Sequence, residues 1–142
     1  MLFRSEFLEK RCGDFIQPDI SRVGIKEMRL IGGMADAAGV GFCPHNPAGP
    51  ITNLATLHIA ACTPNFFLLE TMATDVPWRA ELSDENIRVE NCEMLIPARP
   101  GLGIELNEAV LEKHPPKQYH LRHYRGDLTA VRPSDAQEWF RR

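Results

Sequence analysis

The chain has 142 residues, of which 44% are hydrophobic, 25% charged and 8% aromatic, an ordinary globular composition with enough apolar material for one core. Its 16 basic residues against 19 acidic ones leave a formal charge of −3, so no basic excess is available for a phosphate backbone, and neither nucleic acid nor an anionic membrane is expected as a partner. A complete (β/α)8 barrel takes about 250 residues and a lean one about 200, which excludes a full barrel.

Arg4, Glu6, Glu9, Lys10 and Arg11 interrupt the first eleven positions. No apolar leader core can be drawn there, and a cytoplasmic location is expected. Leu2 to Arg11 reads as a short amphipathic helix closed by Gly13. Asp14 to Pro18 reads as a short buried strand ending near Asp19, and a loop through Ser21 and Gly24 leads into a helix over about 25–38. Met28, Ile31, Met34, Ala35 and Ala38 give that helix its three-and-four apolar spacing, and Gly39 closes it. Val40 to Pro44 is the second strand, ending at His45. Pro50 suits a first helical turn and opens a helix to about Ala61. Phe66 to Leu69 is the third strand, ending at Glu70.

No Asp, Glu, Lys or Arg occurs from Ala37 to Leu69, but Pro44, Pro47, Pro50 and Pro64 break every window a bilayer helix would need. Near-continuous apolarity of this kind suits parallel strands covered on both faces. Beyond Glu70 the alternation dissolves. An irregular loop is expected over Asp75 to Arg79, a hairpin over 87–96 turning at Glu90 and Asn91, and a short helix from Asn107 to Lys113. Pro115-Pro116 opens an extended tail with a capping pattern at Ser134 before Trp139. Cys12, Cys43, Cys62 and Cys92 form no Cys-x-x-Cys pair and read as reduced thiols.

Strands alternating with helices imply right-handed crossovers and a mostly parallel sheet. Asp19, His45 and Glu70 each stand where a strand hands over to its loop, spaced 26 and 25 positions apart, and ligands gather at that end of a parallel sheet. A carboxylate on one imidazole nitrogen fixes the tautomer and leaves the other nitrogen to exchange a proton. A second carboxyl, held neutral, can donate to a developing oxyanion. Spacing alone leaves two readings open, a catalytic triplet or helix caps with satisfied polar groups. Weaker signals read as structural: Gly101-Leu102-Gly103 as a turn without the remaining glycines or lysine of a phosphate cradle, His120 and His123 as surface residues, His58 as a satisfied core histidine. Trp78 and Arg79 read either as substrate contacts or as a packing aromatic beside a solvated cation.

Four ordered motifs, Gln17-Pro-Asp-Ile-Ser21, Pro44-His-Asn-Pro-Ala-Gly-Pro50, Phe67-Leu-Leu-Glu-Thr71 and Pro97-Ala-Arg-Pro-Gly-Leu-Gly-Ile-Glu105, resemble the C-terminal part of the mandelate racemase and muconate lactonizing branch of the enolase superfamily. Within it the chain looks most like the galactonate dehydratase-like sugar-acid dehydratases. The resemblance implies an α/β fold: the last three βα units, plus a C-terminal wrapping segment, of an enolase-type (β/α)7β TIM barrel. Residues 1–72 would supply strands six to eight of the partial barrel, and 73–142 an extension packing on the barrel and capping domain.

The shared chemistry the resemblance implies is abstraction of the proton α to a carboxylate, with Mg2+ stabilising the enolate. His45 matches the general base, Asp19 the residue that orients it and Glu70 the group facing the enediolate, while Trp78 is the expected substrate contact. Loss of the β-hydroxyl would give a 2-keto-3-deoxy acid; a cycloisomerase or epimerase outcome, and a non-catalytic remnant, are the alternatives. No residue of this chain matches the family's metal ligands, and a bound metal contributes several kcal/mol of charge stabilisation, so the chain alone is expected to be inactive. Its expected partners are a sugar acid and either an N-terminal half or further copies of itself. The family's paired glycines after strand six are absent at Ser21-Arg-Val-Gly24, an apparent one-residue deletion whose effect on how Asp19 meets His45 the sequence leaves open.

Overall fold

The computed structural model describes residues 2–72, 76–84 and 88–115. Residues 1–112 form one compact unit. Its first elements are α1 (Leu2–Glu9), β1 (Phe15–Ile16), α2 (Ile20–Ala37), β2 (Gly41–Phe42) and α3 (Pro50–Ala61). The alternation is that of an α/β protein, and β1 pairs with β2 in parallel, Phe15 opposite Gly41 and Ile16 opposite Phe42.

The ladder is longer than the strands. Gly41, Cys43 and His45 donate in turn to the carbonyls of Asp14, Ile16 and Pro18, at 2.8, 3.0 and 3.0 Å. Pro18 and Pro44 have no N–H to return a bond, so the regular strands stop before them. The same deficit acts on the expected third strand, which is present only as a parallel bridge between Phe42 and Phe66. Phe67 N donates to Phe42 O at 3.0 Å, and the next bond, at 3.3 Å, runs from Glu70 N to Pro44 O. Three steps on this segment therefore face two on β2. That one-residue slip, a bulge in effect, makes Glu70 the residue at the sheet's end.

Side chains alternate across the sheet. Ile16 and Phe42 turn to the helices and join Leu8, Ile20, Met28, Ile31, Ala35, Val40, Ala55 and Ile59 in the core, with Met34 and Ala38 packed at its margin. The predicted helical spacing of α2 is thus the spacing of its buried face. On the other side Phe15 and Phe67 are 47% and 64% exposed, with ring centroids 5.0 Å apart. A Cβ on Gly41 would fall 2.5 Å from Phe15 Cδ1, so glycine is what lets that ring lie across the sheet.

Three local expectations are corrected. The chain leaves α1 through Arg11, at φ 46°; Gly13 instead gives room to Phe7, whose Cζ would sit 3.0 Å from an added Cβ. The segment from Ile20 to Val23 is a helical turn, not a loop, because the Asp19 side chain caps it. Gly24, at φ 78° and ψ 167°, then breaks the helix before it resumes. Gly39, at φ 69°, lies just beyond its end, as expected.

Further along, a 3-10 turn occupies Arg79–Glu81, starting at the last residue of the expected irregular loop, followed by β3 (Val89–Glu90), β4 (Glu93–Met94) and α4 (Glu108–Lys113). The hairpin turns at Asn91 and Cys92, one residue later than expected, both with positive φ as its tight turn requires. The Ser134 to Trp139 pattern lies outside the described residues, as do His120 and His123. Among the described residues no helix is long and apolar enough to cross a membrane.

Candidate active site

Asp19 and His45 face each other as a parallel bridge three residues beyond the ends of the paired strands. Their side chains meet: His45 Nδ1 lies 3.1 Å from Asp19 Oδ2. The other oxygen, Oδ1, accepts from Ser21 N at 2.8 Å and from Ser21 Oγ at 2.6 Å. One carboxylate thus caps α2 and engages the imidazole, and the cap holds its second oxygen in place. Burial pushes the Asp19 carboxyl up, but the hydrogen bonds from Ser21 and His45, with the charge of His45, outweigh it and hold it below the ordinary value. The side chain is only 14% exposed.

On the far side of the ring, His45 Nε2 stands 3.8 Å from Glu70 Oε2, within ion-pair range and too long for a direct hydrogen bond. The imidazole is therefore flanked by carboxylates on both nitrogens. With Nδ1–H donating to Asp19, Nε2 keeps its lone pair toward Glu70 and solvent. This is an arrangement for moving a proton at Nε2. The three residues singled out at strand ends are brought together, and the turn before Gly24 leaves the Asp19–His45 contact intact. Gly24 accommodates it in a conformation open to glycine alone.

Trp78 is half-buried immediately before the 3-10 turn. The next residue, Arg79, donates through Nη1 to Ala48 O at 3.1 Å, tying this turn to the loop that follows His45. Gly101 and Gly103, at φ 70° and 82°, form a structural turn, and Gly103 abuts Pro97 too closely for any side chain. His58 is half-buried, and among the described residues its buried Nε2 has no hydrogen-bond partner, which departs from the expectation of a satisfied core histidine. All four cysteines are free. Burial pushes the Cys43 thiol up, against a weaker opposing hydrogen bond from the Leu68 backbone.

Sequence reasoning did not single out Ser21, Asn46, Asn53 or Thr71. Ser21 could have been found as the residue two beyond a capping aspartate, and Asn53 as a buried amide inside an otherwise apolar helix. Asn46 and Thr71 each follow a site residue directly in sequence.

Comparison with known proteins places this geometry. Residues 4–110 match the family described as enolase C-terminal domain-like. The chain is 36% identical over 108 residues to D-xylonate dehydratase of Haloferax volcanii, covering 75% of this chain and 26% of that one. It is 36% identical over 124 residues to D-galactonate dehydratase of Xanthomonas campestris, covering 80% and 32%. A crystal structure of an enolase from Pantoea ananatis, with bound D-gluconate and magnesium, superposes with a TM-score of 0.73 at 26% identity, over 80% of this chain and 28% of that one. The chain thus spans roughly a quarter to a third of the length of these relatives.

Proposed function

This chain belongs to the enolase C-terminal domain-like family, and on that premise we propose that it is the C-terminal portion of a sugar-acid dehydratase of the galactonate, xylonate and gluconate kind. Residues 1–72 correspond in this reading to the last three βα units of a (β/α)7β barrel and 73–142 to its C-terminal extension. His45 takes the proton α to the substrate carboxylate at Nε2. Asp19 holds the ring through Nδ1 and balances the imidazolium that forms. Glu70 faces the developing enediolate and donates to it when protonated. Trp78 lines the substrate's approach. The β-hydroxyl leaves as water, with a proton supplied from the portion of the relatives that this chain does not span, and the enol so formed tautomerises to the 2-keto-3-deoxy acid.

The observation that carries the reading is the imidazole held between two carboxylates, 3.1 Å from Asp19 and 3.8 Å from Glu70. Mg2+ belongs to the family reading, but the residues here do not fit a metal centre. Among the described residues no group of three His, Cys, Asp or Glu is placed to hold one, and both Asp19 oxygens are already engaged. The metal's ligands, and with them turnover, would come from the portion of the relatives that this chain does not span.

The test is a chimera in which residues 4–110 replace the matching part of the H. volcanii xylonate dehydratase. Deuterium from solvent should enter the α-position of a sugar acid in the chimera and not in its His45→Asn variant. Undiminished exchange in the variant removes His45 from this role.

A further inference from the structure

The bonds that hold Glu70 beside His45 come from two sides. On the sheet side the last tie is Glu70 N to Pro44 O, at 3.3 Å. On the loop side it is a side-chain bridge through α3: Thr71 Oγ1 donates to Asn53 Oδ1 at 2.9 Å, and Asn46 Nδ2 donates to the same oxygen. Asn46 follows His45 and Thr71 follows Glu70. One buried oxygen therefore joins the two loops at the residues just past the imidazole and the carboxylate.

The bridge is buried, Asn53 and Asn46 being 0% and 1% exposed. What it supplies is geometry, since α3 is anchored in the core through Ala55 and Ile59 and gives both loops one rigid reference.

We propose that Asn53 is a positioning residue that, through Asn46 and Thr71, sets the separation between His45 and Glu70. The inference rests on the reading above that these two side chains act on one substrate. A merely structural role would hold α3 in place without coupling the carboxylate to the ring.

The experiment uses the 142-residue chain with 15N-labelled histidine, its His45 resonances assigned by loss in His45→Asn. In the parent chain, Glu70→Gln should shift the His45 Nε2 resonance and leave Nδ1 in place. In a Thr71→Val background the same substitution should move Nε2 by less than half as much, and Thr71→Ser should restore the full shift. Asn53→Ala should act like Thr71→Val; if it unfolds the chain, the hydroxyl series decides alone, with backbone amide spectra reporting the fold. An equal Glu70-dependent shift in the Thr71→Val background overturns the proposal, and so does its absence in the parent chain. Because the readout is a nitrogen resonance and not turnover, a chimera that fails to exchange the α-proton while this coupling persists sinks the proposed reaction and not the positioning.

Discussion

Asp19 carries two tasks on two oxygens, and substitutions can separate them. Asp19→Ala removes both the cap and the anion and should cost about 1 kcal/mol of stability. Asp19→Asn keeps a good capping side chain and should stay close to the parent in urea unfolding while losing the charge that faces His45. The pH dependence follows from the depressed Asp19 carboxyl. A carboxyl lowered on folding contributes stability above the ordinary aspartate value, about 3.9, and this is lost as pH falls through the lower folded value. The Asn variant should therefore lose less stability between neutral and acidic pH than the parent, as unfolding free energies measured across that range would register. Asp19, His45 and Glu70 were legible in the sequence because parallel strands collect polar residues at one end. Ser21, Asn53 and Thr71 were not, because their roles depend on which oxygen each donor reaches.

The helices were legible nearly to the residue where composition marks their ends, as Pro50 does for α3. The strands were not, since hydrophobic patterning does not count donors. Pro18 and Pro44 remove ladder hydrogen bonds, so segments that look like five-residue strands pair regularly over two. The break in α2 lies between these cases. Gly24 was visible, but its conformation follows from Asp19 capping a turn that must then reorient. At φ 78° with nothing within 4 Å of an added Cβ, Gly24→Ala meets only backbone strain and should destabilise by about 1–3 kcal/mol. Gly33, in the same helix and equally open, has ordinary helical geometry, so Gly33→Ala should stabilise by about 0.5–1 kcal/mol. Denaturation midpoints moving in opposite directions for one chemical change would verify both.

At the scale of the whole molecule, one face of the sheet is sealed by helices and the other carries Phe15 and Phe67 in the open. That asymmetry suits a piece of a larger closed sheet, the architecture proposed from the family. It was only half legible: the alternation and the parallel pairing of the first two strands could be read, whereas the third strand is reduced to a bridge and an exposed aromatic pair needs coordinates. Burial also has a signature in thiol chemistry. Cys12, Cys62 and Cys92 are exposed and Cys43 is buried with its thiol pushed up, and a thiol must ionise and be reached to react. Alkylation of the native chain should modify those three readily and Cys43 only after unfolding. Native-state labelling of Cys43 at the rate of the others would show that the residue following β2 is not shielded from solvent.

The two prolines also determine how the end of the sheet that carries Asp19, His45 and Glu70 can open. Beyond Cys43, whose N–H still donates to Ile16 O, the ladder among the described residues is reduced to one bond from His45 N to Pro18 O and another from Glu70 N to Pro44 O. Each can break without dragging a cooperative strand with it. Local opening at the triplet is therefore decoupled from the core, and the amide protons of His45 and Glu70 become two separate clocks for it, exchanging with solvent while those of Gly41 and Phe42 stay protected.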